Sequence, residues 1–425
     1  MKVNLQTALN DSHIDANQGN TQRQIAISLS SQEETSGLAP RVGKHRTLPL
    51  NLGLILDHSG SMTGKPMKIV KEAALRLVEG LGPSDRISVI AFDHRAKVIV
   101  PNQMVDDIER VKRLIEKLET AGGTAIDEGM KLGIKEVATG KENRVSQIFL
   151  LTDGENEHGD NERCLKLAHV AAEYNITVNT LGFGNNWNQD ILEKIADSAG
   201  GTLCYIEQPE QALTEFSRLF TRLQSVGLTN AYLILEFIPQ VRLAELKPVA
   251  QVEPETVELK AESEGNSYIV RLGDLMKDTS RVVLVNLYLS QLSPGSHVIG
   301  TVQVRYDDPS LSQVGLLSER IPLTVEVQPA YQPQVDNSVQ KSILTLAKYR
   351  QTQLAEAKLD QGDRKGAATL LQTAAKTALQ LGDQSAATIL QSNATRLQAG
   401  EELSEAERKK TRMVSKTVIQ TDPEL

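Results

Sequence analysis

Cysteine is almost absent from this chain of 425 residues: only Cys164 and Cys204 occur, in a helix-like and a strand-like context. Two such residues make no disulfide framework and no Cys/His metal spacing, which points to a reducing compartment. Aromatic residues are equally scarce, at 4%. That disfavours single-stranded nucleic acid, whose binding surfaces need several exposed rings. The net charge of −8 disfavours a phosphate backbone as the main partner. No apolar run reaches 18 residues, so no helix is expected to span a membrane. The opening MKVNLQTALNDSHID lacks the apolar core of a signal peptide. The expected location is cytoplasmic.

Hydrophobic content of 40% and charged content of 24% are those of a globular protein. The length implies two or three domains. Residues 1–45 hold two short alternating segments, around Val3–Leu9 and Gln24–Ser30, that read as strands. Residues 46–224 alternate apolar runs (48–56, 86–92, 147–152, 176–183, 202–206) with amphipathic helical stretches. That alternation means βαβ units and an α/β, doubly wound, mostly parallel six-stranded sheet. The segment 95–101 follows its neighbour too closely for a crossover, so it is an antiparallel edge strand. In residues 225–330 the helices vanish, and short strands separated by Pro and Gly suggest a β-sandwich. The first 45 residues would complete that sandwich, leaving the α/β domain inserted in it. Residues 336–414 read as C-terminal α-helical hairpins of about three helices, punctuated by Gly-Asp pairs at Gly362 and Gly382. Residues 415–425 read as a flexible tail, whose Ser415, Thr417 and Thr421 are candidate phosphorylation positions on exposure alone.

The segment LILDHSGSMTGKP carries the chemistry. A buried strand ends at Leu56 and a helix begins at Lys65 or Pro66. Between them Asp57, Ser59 and Ser61 alternate, so one carboxylate and two hydroxyls can face a single point. These are hard oxygen donors, suited to Mg²⁺, with Mn²⁺ or Ca²⁺ as substitutes. Thr124 ends a Gly-rich loop at a helix start, and Asp153 stands at the end of a parallel strand. In a sheet ordered 3-2-1-4-5-6, strands 1 and 4 are neighbours and ligands bind beyond their C-terminal ends. Strand 1 ends at Asp57 and strand 4 at Asp153. Alone, the Asp-Ser-Ser pattern is as easily a helix cap; the two distant residues shift the weight to a cation site. Lys65 belongs to no phosphate loop, because Ser59 stands where the first glycine is needed.

Together, Asp57-x-Ser59-x-Ser61, Thr124 and Asp153 resemble the metal-ion-dependent adhesion site (MIDAS) of von Willebrand factor type A (VWA) domains, in a bacterial-type intracellular setting. The resemblance covers roughly 175 residues, about one domain. It implies that Ser59, Ser61 and Thr124 coordinate the metal, that Asp57 and Asp153 act largely through water, and that a partner's Asp or Glu completes the shell. The flanking sandwich is similar to that of inter-α-inhibitor heavy chains. The function implied is non-enzymatic: a Mg²⁺-dependent protein-interaction scaffold, with self-association through an acidic side chain as one variant. Two other readings stand beside it, a metal-dependent hydrolase and a cofactor subunit of an AAA+ ATPase system of the MoxR or chelatase type. Asp127 and Glu128 are read as first-turn helix charges, Asp93 and His94 as a hairpin turn, and Asn156, Glu157 and His158 as a loop bordering the site. The basic run Arg408, Lys409, Lys410, Arg412 and Lys416 follows acidic Glu401–Glu407, and is read as a solvated helix face of opposed charges.

Overall fold

In the computed structural model, residues 1–32, 48–184, 186–207, 212–277 and 279–417 are described. The expected boundary at residue 46 lies outside them, as does Thr421. The α/β unit comprises β4 (Leu50–Asp57), α1 (Lys65–Glu79), β5 (Arg86–Phe92), β6 (Ala96–Met104), α2 (Ile108–Glu116), α3 (Ile126–Thr139), β7 (Val145–Thr152), α4 (Asn161–Glu173), β8 (Thr177–Phe183), α5 (Gln189–Ser198), β9 (Leu203–Ile206) and α6 (Ala212–Gln224). Three strands precede it: β1 (Lys2–Leu9), β2 (His13–Asp15) and β3 (Asn20–Gln32). The sheet runs β6-β5-β4-β7-β8-β9, parallel except for β6. β4 and β7 are buried along their whole length because helices cover both faces. Glycine lets α3 lie close to β4: a side chain at Gly53 would fall 2.5 Å from Val137, and one at Gly133 would fall 2.4 Å from Ile55. That close approach fixes where the N-terminus of α3 emerges.

After α6 the chain passes through β10 (Val226–Phe237), β11 (Val241–Leu243), β12 (Val249–Glu253), β13 (Val257–Leu259), β14 (Ala261–Glu264), β15 (Ser267–Met276), β16 (Arg281–Ser290), β17 (Gly295–Asp308), β18 (Gln313–Leu317) and β19 (Ile321–Gln328). One sheet is ordered β1-β3-β16-β12-β13 with β11 also on β16; the other is β14-β15-β10-β17-β19-β2 with β18 also on β17. The first 32 residues therefore supply strands to both sheets, and the α/β unit is an insertion between β3 and β10. Ile25, Ile27 and Leu29 pack with Leu233, Leu235, Val283 and Val302 in the core between the sheets. The continuous alternating stretch 256–262 splits into β13 and β14, which pair in different sheets. Neither β12, framed by Pro248 and Pro254, nor the exposed β18 was expected from the sequence.

Four helices follow, one more than expected: α7 (Asn337–Asp360), α8 (Arg364–Gln380), α9 (Gln384–Gln398) and α10 (Glu405–Lys416). Gly362 and Gly382 take left-handed φ of 78° and 77° at the turns, and Asp363 and Asp383 cap the next helices. α7 covers the outer face of the first sandwich sheet, where Val339, Leu346 and Tyr349 bury Ala26, Val252 and Leu284. Among the described residues, no helix is long and apolar enough to cross a membrane.

Two expectations fail at the C-terminus. Ser415 is fully buried within α10 rather than exposed in a flexible tail, and the Lys416 carbonyl accepts from the Thr256 N–H at 2.9 Å. Nor is the basic run solvated. Lys409 donates to the Trp187 carbonyl at 2.9 Å and lies over its ring. Arg412 sits 2.6 Å from Glu193 and also pairs with Asp190; Lys416 bonds Asp197 at 2.6 Å and Glu193 at 3.2 Å. Those three acids come from α5, more than 200 residues upstream, while Asp360 and Glu356 of α7 face Arg408 and Glu207 faces Lys410; none of them belongs to Glu401–Glu407. A local reading of charge could not see them. Removing one member of a buried pair leaves the other charged and unpartnered. Arg412→Ala is therefore expected to lower unfolding free energy by about 3 kcal/mol or more in urea denaturation; a change below about 0.5 kcal/mol, the size of an ordinary surface substitution, would show that the α5–α10 contact is not formed in solution.

Candidate metal centre

Parallel register brings the distant residues together. Leu56 pairs with Leu151 across β4 and β7, so the next residues, Asp57 and Thr152, lie side by side. The Thr152 hydroxyl donates to Asp57 Oδ2 at 2.6 Å, and the Ser59 N–H donates to Asp57 Oδ1 at 2.8 Å. The chain then turns through a single 3₁₀ turn (Gly60–Met62) into α1. Ser59 Oγ and Ser61 Oγ are 3.0 Å apart, and the Ser61 hydroxyl donates to Asp153 Oδ1 at 2.7 Å. Thr124 joins from the third side. A Cβ built on Gly154 would stand 3.3 Å from Thr124 Oγ1 and 3.7 Å from Ser61 Oγ, so both hydroxyls line the same small space. The five residues singled out from the sequence thus converge.

Backbone bonds lace the three loops. Gly60 N–H donates to the Gly122 carbonyl at 3.0 Å and Ala121 N–H to the His58 carbonyl at 2.8 Å. His158 N–H donates to the Thr124 carbonyl at 2.9 Å, and Asn156 Oδ1 accepts from Ile126 N–H at 2.7 Å. Asn156 is therefore a brace for the start of α3, while Glu157 and His158 remain exposed at the border. Asp93 and His94 form the expected β5–β6 hairpin turn; the Asp93 carbonyl also holds Ala125 N–H at 2.7 Å. Asp127 and Glu128 both pair with Arg163. Sequence reasoning missed Thr152 and Gly154. The signal for Thr152 was only its place one residue before Asp153, since its partner Asp57 is set by the strand register.

The electrostatics set the chemistry. Asp57 is completely buried, and that burial, with Asp153 nearby, raises its carboxyl from the ordinary range to about 6 against the opposing bonds from Thr152 and Ser59. Burial raises Asp153 as well, opposed by Ser61. Among the described residues, no lysine, arginine or histidine pairs with either carboxylate. Nor do three or more His, Cys, Asp or Glu side chains cluster to hold a metal anywhere among them. The donor set here is two carboxylates and three hydroxyls, all hard oxygen, which suits Mg²⁺, Mn²⁺ or Ca²⁺ better than zinc.

With that geometry in hand, comparisons with known proteins place the chain. Residues 51–219 match the family model of the von Willebrand factor type A domain, and residues 337–421 match that of the Sll0103-like, C-terminal alpha-helical domain. The chain is 60% identical over 420 residues to the uncharacterized protein sll0103 of Synechocystis, covering 99% of this chain and 98% of that protein. The chain belongs to the Sll0103-like family of VWA proteins. VWA domains are generally protein-interaction modules and typically non-catalytic. Human inter-alpha-trypsin inhibitor heavy chain H4 is 26% identical over 196 residues, which cover 43% of this chain and 21% of that one. Among solved structures, a von Willebrand factor type A protein from Catenulispora acidiphila superposes with a TM-score of 0.82 at 16% identity, covering 99% of this chain and 98% of that one. The VWA2 paralog of ArnB from Sulfolobus acidocaldarius reaches 0.58 at 15% identity, with 98% of each chain covered. These two share the fold, sandwich and helices included.

A buried, unpaired carboxylate costs stability when no cation is present. In excess chelator, Asp57→Asn is expected to melt no lower than wild type, because the amide oxygen still accepts from Ser59. Added Mg²⁺ should then raise the Tm of wild type alone. A variant melting several degrees lower in chelator would show that the carboxylate is needed for the fold itself.

Proposed function

We propose that this VWA domain binds a divalent cation, Mg²⁺ in the first instance, and uses it to capture a carboxylate of a protein partner. One observation carries the reading: two carboxylates and three hydroxyls converge at the exposed end of the sheet, and among the described residues no cationic side chain pairs with either carboxylate. Ser59, Ser61 and Thr124 would hold the ion through hydroxyl oxygens, and Asp57 and Asp153 would supply the charge behind them. Bound there, Mg²⁺ supplies a hard centre that favours octahedral oxygen ligation and keeps positions for water or an incoming oxygen.

The chain's own residues do the rest. Thr152 and the Ser59 N–H orient Asp57 so that both its oxygens are already engaged. Ser61 orients Asp153 in the same way. With the carboxylates turned to hydroxyl partners, a bound dication would keep a net attraction for an external Asp or Glu. The sandwich abuts the opposite end of the sheet, where Gln147 and Thr177 at the starts of β7 and β8 bond Asp274. The sandwich therefore stands clear of the site, while α10 reaches that end of the sheet beside β8 and β9, through Lys409 on Trp187 and Lys410 on Glu207.

Immobilised wild type and Asp57→Ala, incubated with lysate of the source organism in Mg²⁺ and eluted with chelator, test the reading. Proteins retained by wild type in Mg²⁺, released by chelator and absent from the variant are expected. Equal retention by the variant, or retention that persists in chelator, would overturn it.

A further inference from the structure

Among the described residues the three sheets end on β1 and β13, β14 and β2, and β6 and β9. Five of these edges are guarded. β2 and β13 are three residues long and β9 is four. β14 carries the exposed Glu262 and Glu264, while β6 contains Pro101 and two breaks in register. Short length, charge, proline and bulges are the usual means by which an edge avoids pairing with another chain. β1 has none of them. It runs for eight residues in unbroken register with β3 and contains no proline; its one charged residue, Lys2, stands at its start.

The bonding pattern of β1 sets which of its groups are free. Leu9 faces Ile25, and the next residue, Asn10, donates to the Gln24 carbonyl at 2.8 Å. Bonded and unbonded pairs alternate along an antiparallel ladder. The even-numbered residues of β1 therefore bond β3, while Val3, Leu5, Thr7 and Leu9 turn their N–H and C=O groups away from it. Among the described residues no backbone bond reaches those groups from another segment. Beside this edge lies a gap of about 400 Å³. Thr7, Ala8 and Leu9 form one wall, and Pro322, Leu323 and Thr324 of β19, in the other sheet, form the opposite one. β2 covers β19 from Glu326 to Gln328, which leaves the outer edge of β19 open along the gap. The chain after β19 closes one end: Val335 bridges Asp11, and the Asp336 N–H donates to the Asn10 carbonyl at 3.2 Å. Of the described residues lining the gap, Asp336 alone is charged. Its Oδ1 caps α7 by accepting from the N–H groups of Ser338 at 2.8 Å and Val339 at 3.2 Å, and no described donor reaches Oδ2.

We propose that this gap receives an extended peptide segment of a protein partner, which adds to β1 as a further strand and sets a lysine or arginine against Asp336. Strand addition draws affinity from main-chain bonds and specificity from the pockets that alternate side chains enter. Four outward-turned residues of β1 offer the bonds, and the neutral walls around Leu9 and Leu323 accept small or apolar side chains. Asp336 stands at the C-terminal end of β1, so an antiparallel segment brings its own N-terminal end there. A second copy of the chain does not fit. β1 lies over β17 and β19, and β2 extends their sheet beyond it. Two copies joined antiparallel through β1 would force both of those sheets into one layer, where each β2 meets the other copy. The gap belongs to the sandwich and the start of α7, and so does not depend on the metal centre.

The full chain, in excess chelator to keep the metal centre out of the measurement, is titrated with the end-blocked peptide Lys-Thr-Val-Thr-Val-Thr and with its Glu-Thr-Val-Thr-Val-Thr counterpart. One lysine peptide per chain is expected to bind saturably, about tenfold or more tighter than the glutamate peptide. It should also slow amide hydrogen exchange at Val3, Leu5 and Thr7, whose N–H groups are otherwise free. Asp336→Asn keeps the helix cap, because asparagine caps as well as aspartate, and should abolish the difference between the two peptides. Thr7→Pro removes an outward N–H and no bond to β3, and should weaken both peptides about tenfold or more. Should the proline itself lower the Tm, the exchange data on wild type and the Asp336→Asn titration decide the matter without it. No saturable binding to wild type, equal affinity for the two peptides, or unchanged exchange at those three amides would each overturn the proposal. So would a wild-type dimer in sedimentation that Thr7→Pro disperses.

Discussion

The candidate site depends on one constraint: the pairing of β4 with β7 carries two acidic residues to the same edge of the sheet, with no basic residue paired to them among the described residues. Parallel register places Asp57 beside Thr152 and one step from Asp153, and Asp57 cannot move away without unpairing β4 from Phe92 of β5. The surrounding hydroxyls moderate the repulsion but cannot neutralise it. The α3 helix is pressed onto the same strand through Gly53 and Gly133, and so delivers Thr124 to the remaining side. The resulting group of oxygens is the one that the proposed cation would complete.

The rest of the molecule is arranged around holding this domain by its other end. The sandwich meets the starts of β7 and β8, while α10 clasps α5 along the flank through Lys409, Arg412 and Lys416. The three cations and Glu193 are buried in that clasp, so their contribution lies more in fixing one orientation than in net stability. The result leaves the loops after β4 and β7 free at the opposite end.

Most of the α/β unit was legible because its signals are local. Apolar runs of strand length alternate with amphipathic stretches, and the one short connection at 93–95 identifies the antiparallel edge strand. The five site residues were legible for a related reason: three are neighbours in one turn, and the other two stand at strand and loop ends that the doubly wound topology brings together. The β-sandwich was harder, since β13 and β14 form one continuous segment that changes sheets at Lys260. Nothing in the local pattern of 256–262 marks that transfer.

By itself, the sequence determined the order of elements in the α/β unit, the helix caps at Asp363 and Asp383, and the presence of an oxygen-donor turn at Asp57. Each follows from residues a few positions apart, where periodicity and turn chemistry act. Only the tertiary structure decided that Thr152 secures Asp57, that Ser415 is interior, and that the basic run 408–416 is a buried contact instead of a solvated face. The physical reason is common to all three. Burial and charge pairing depend on which distant segment lies opposite, and a charged residue carries no local mark of its partner.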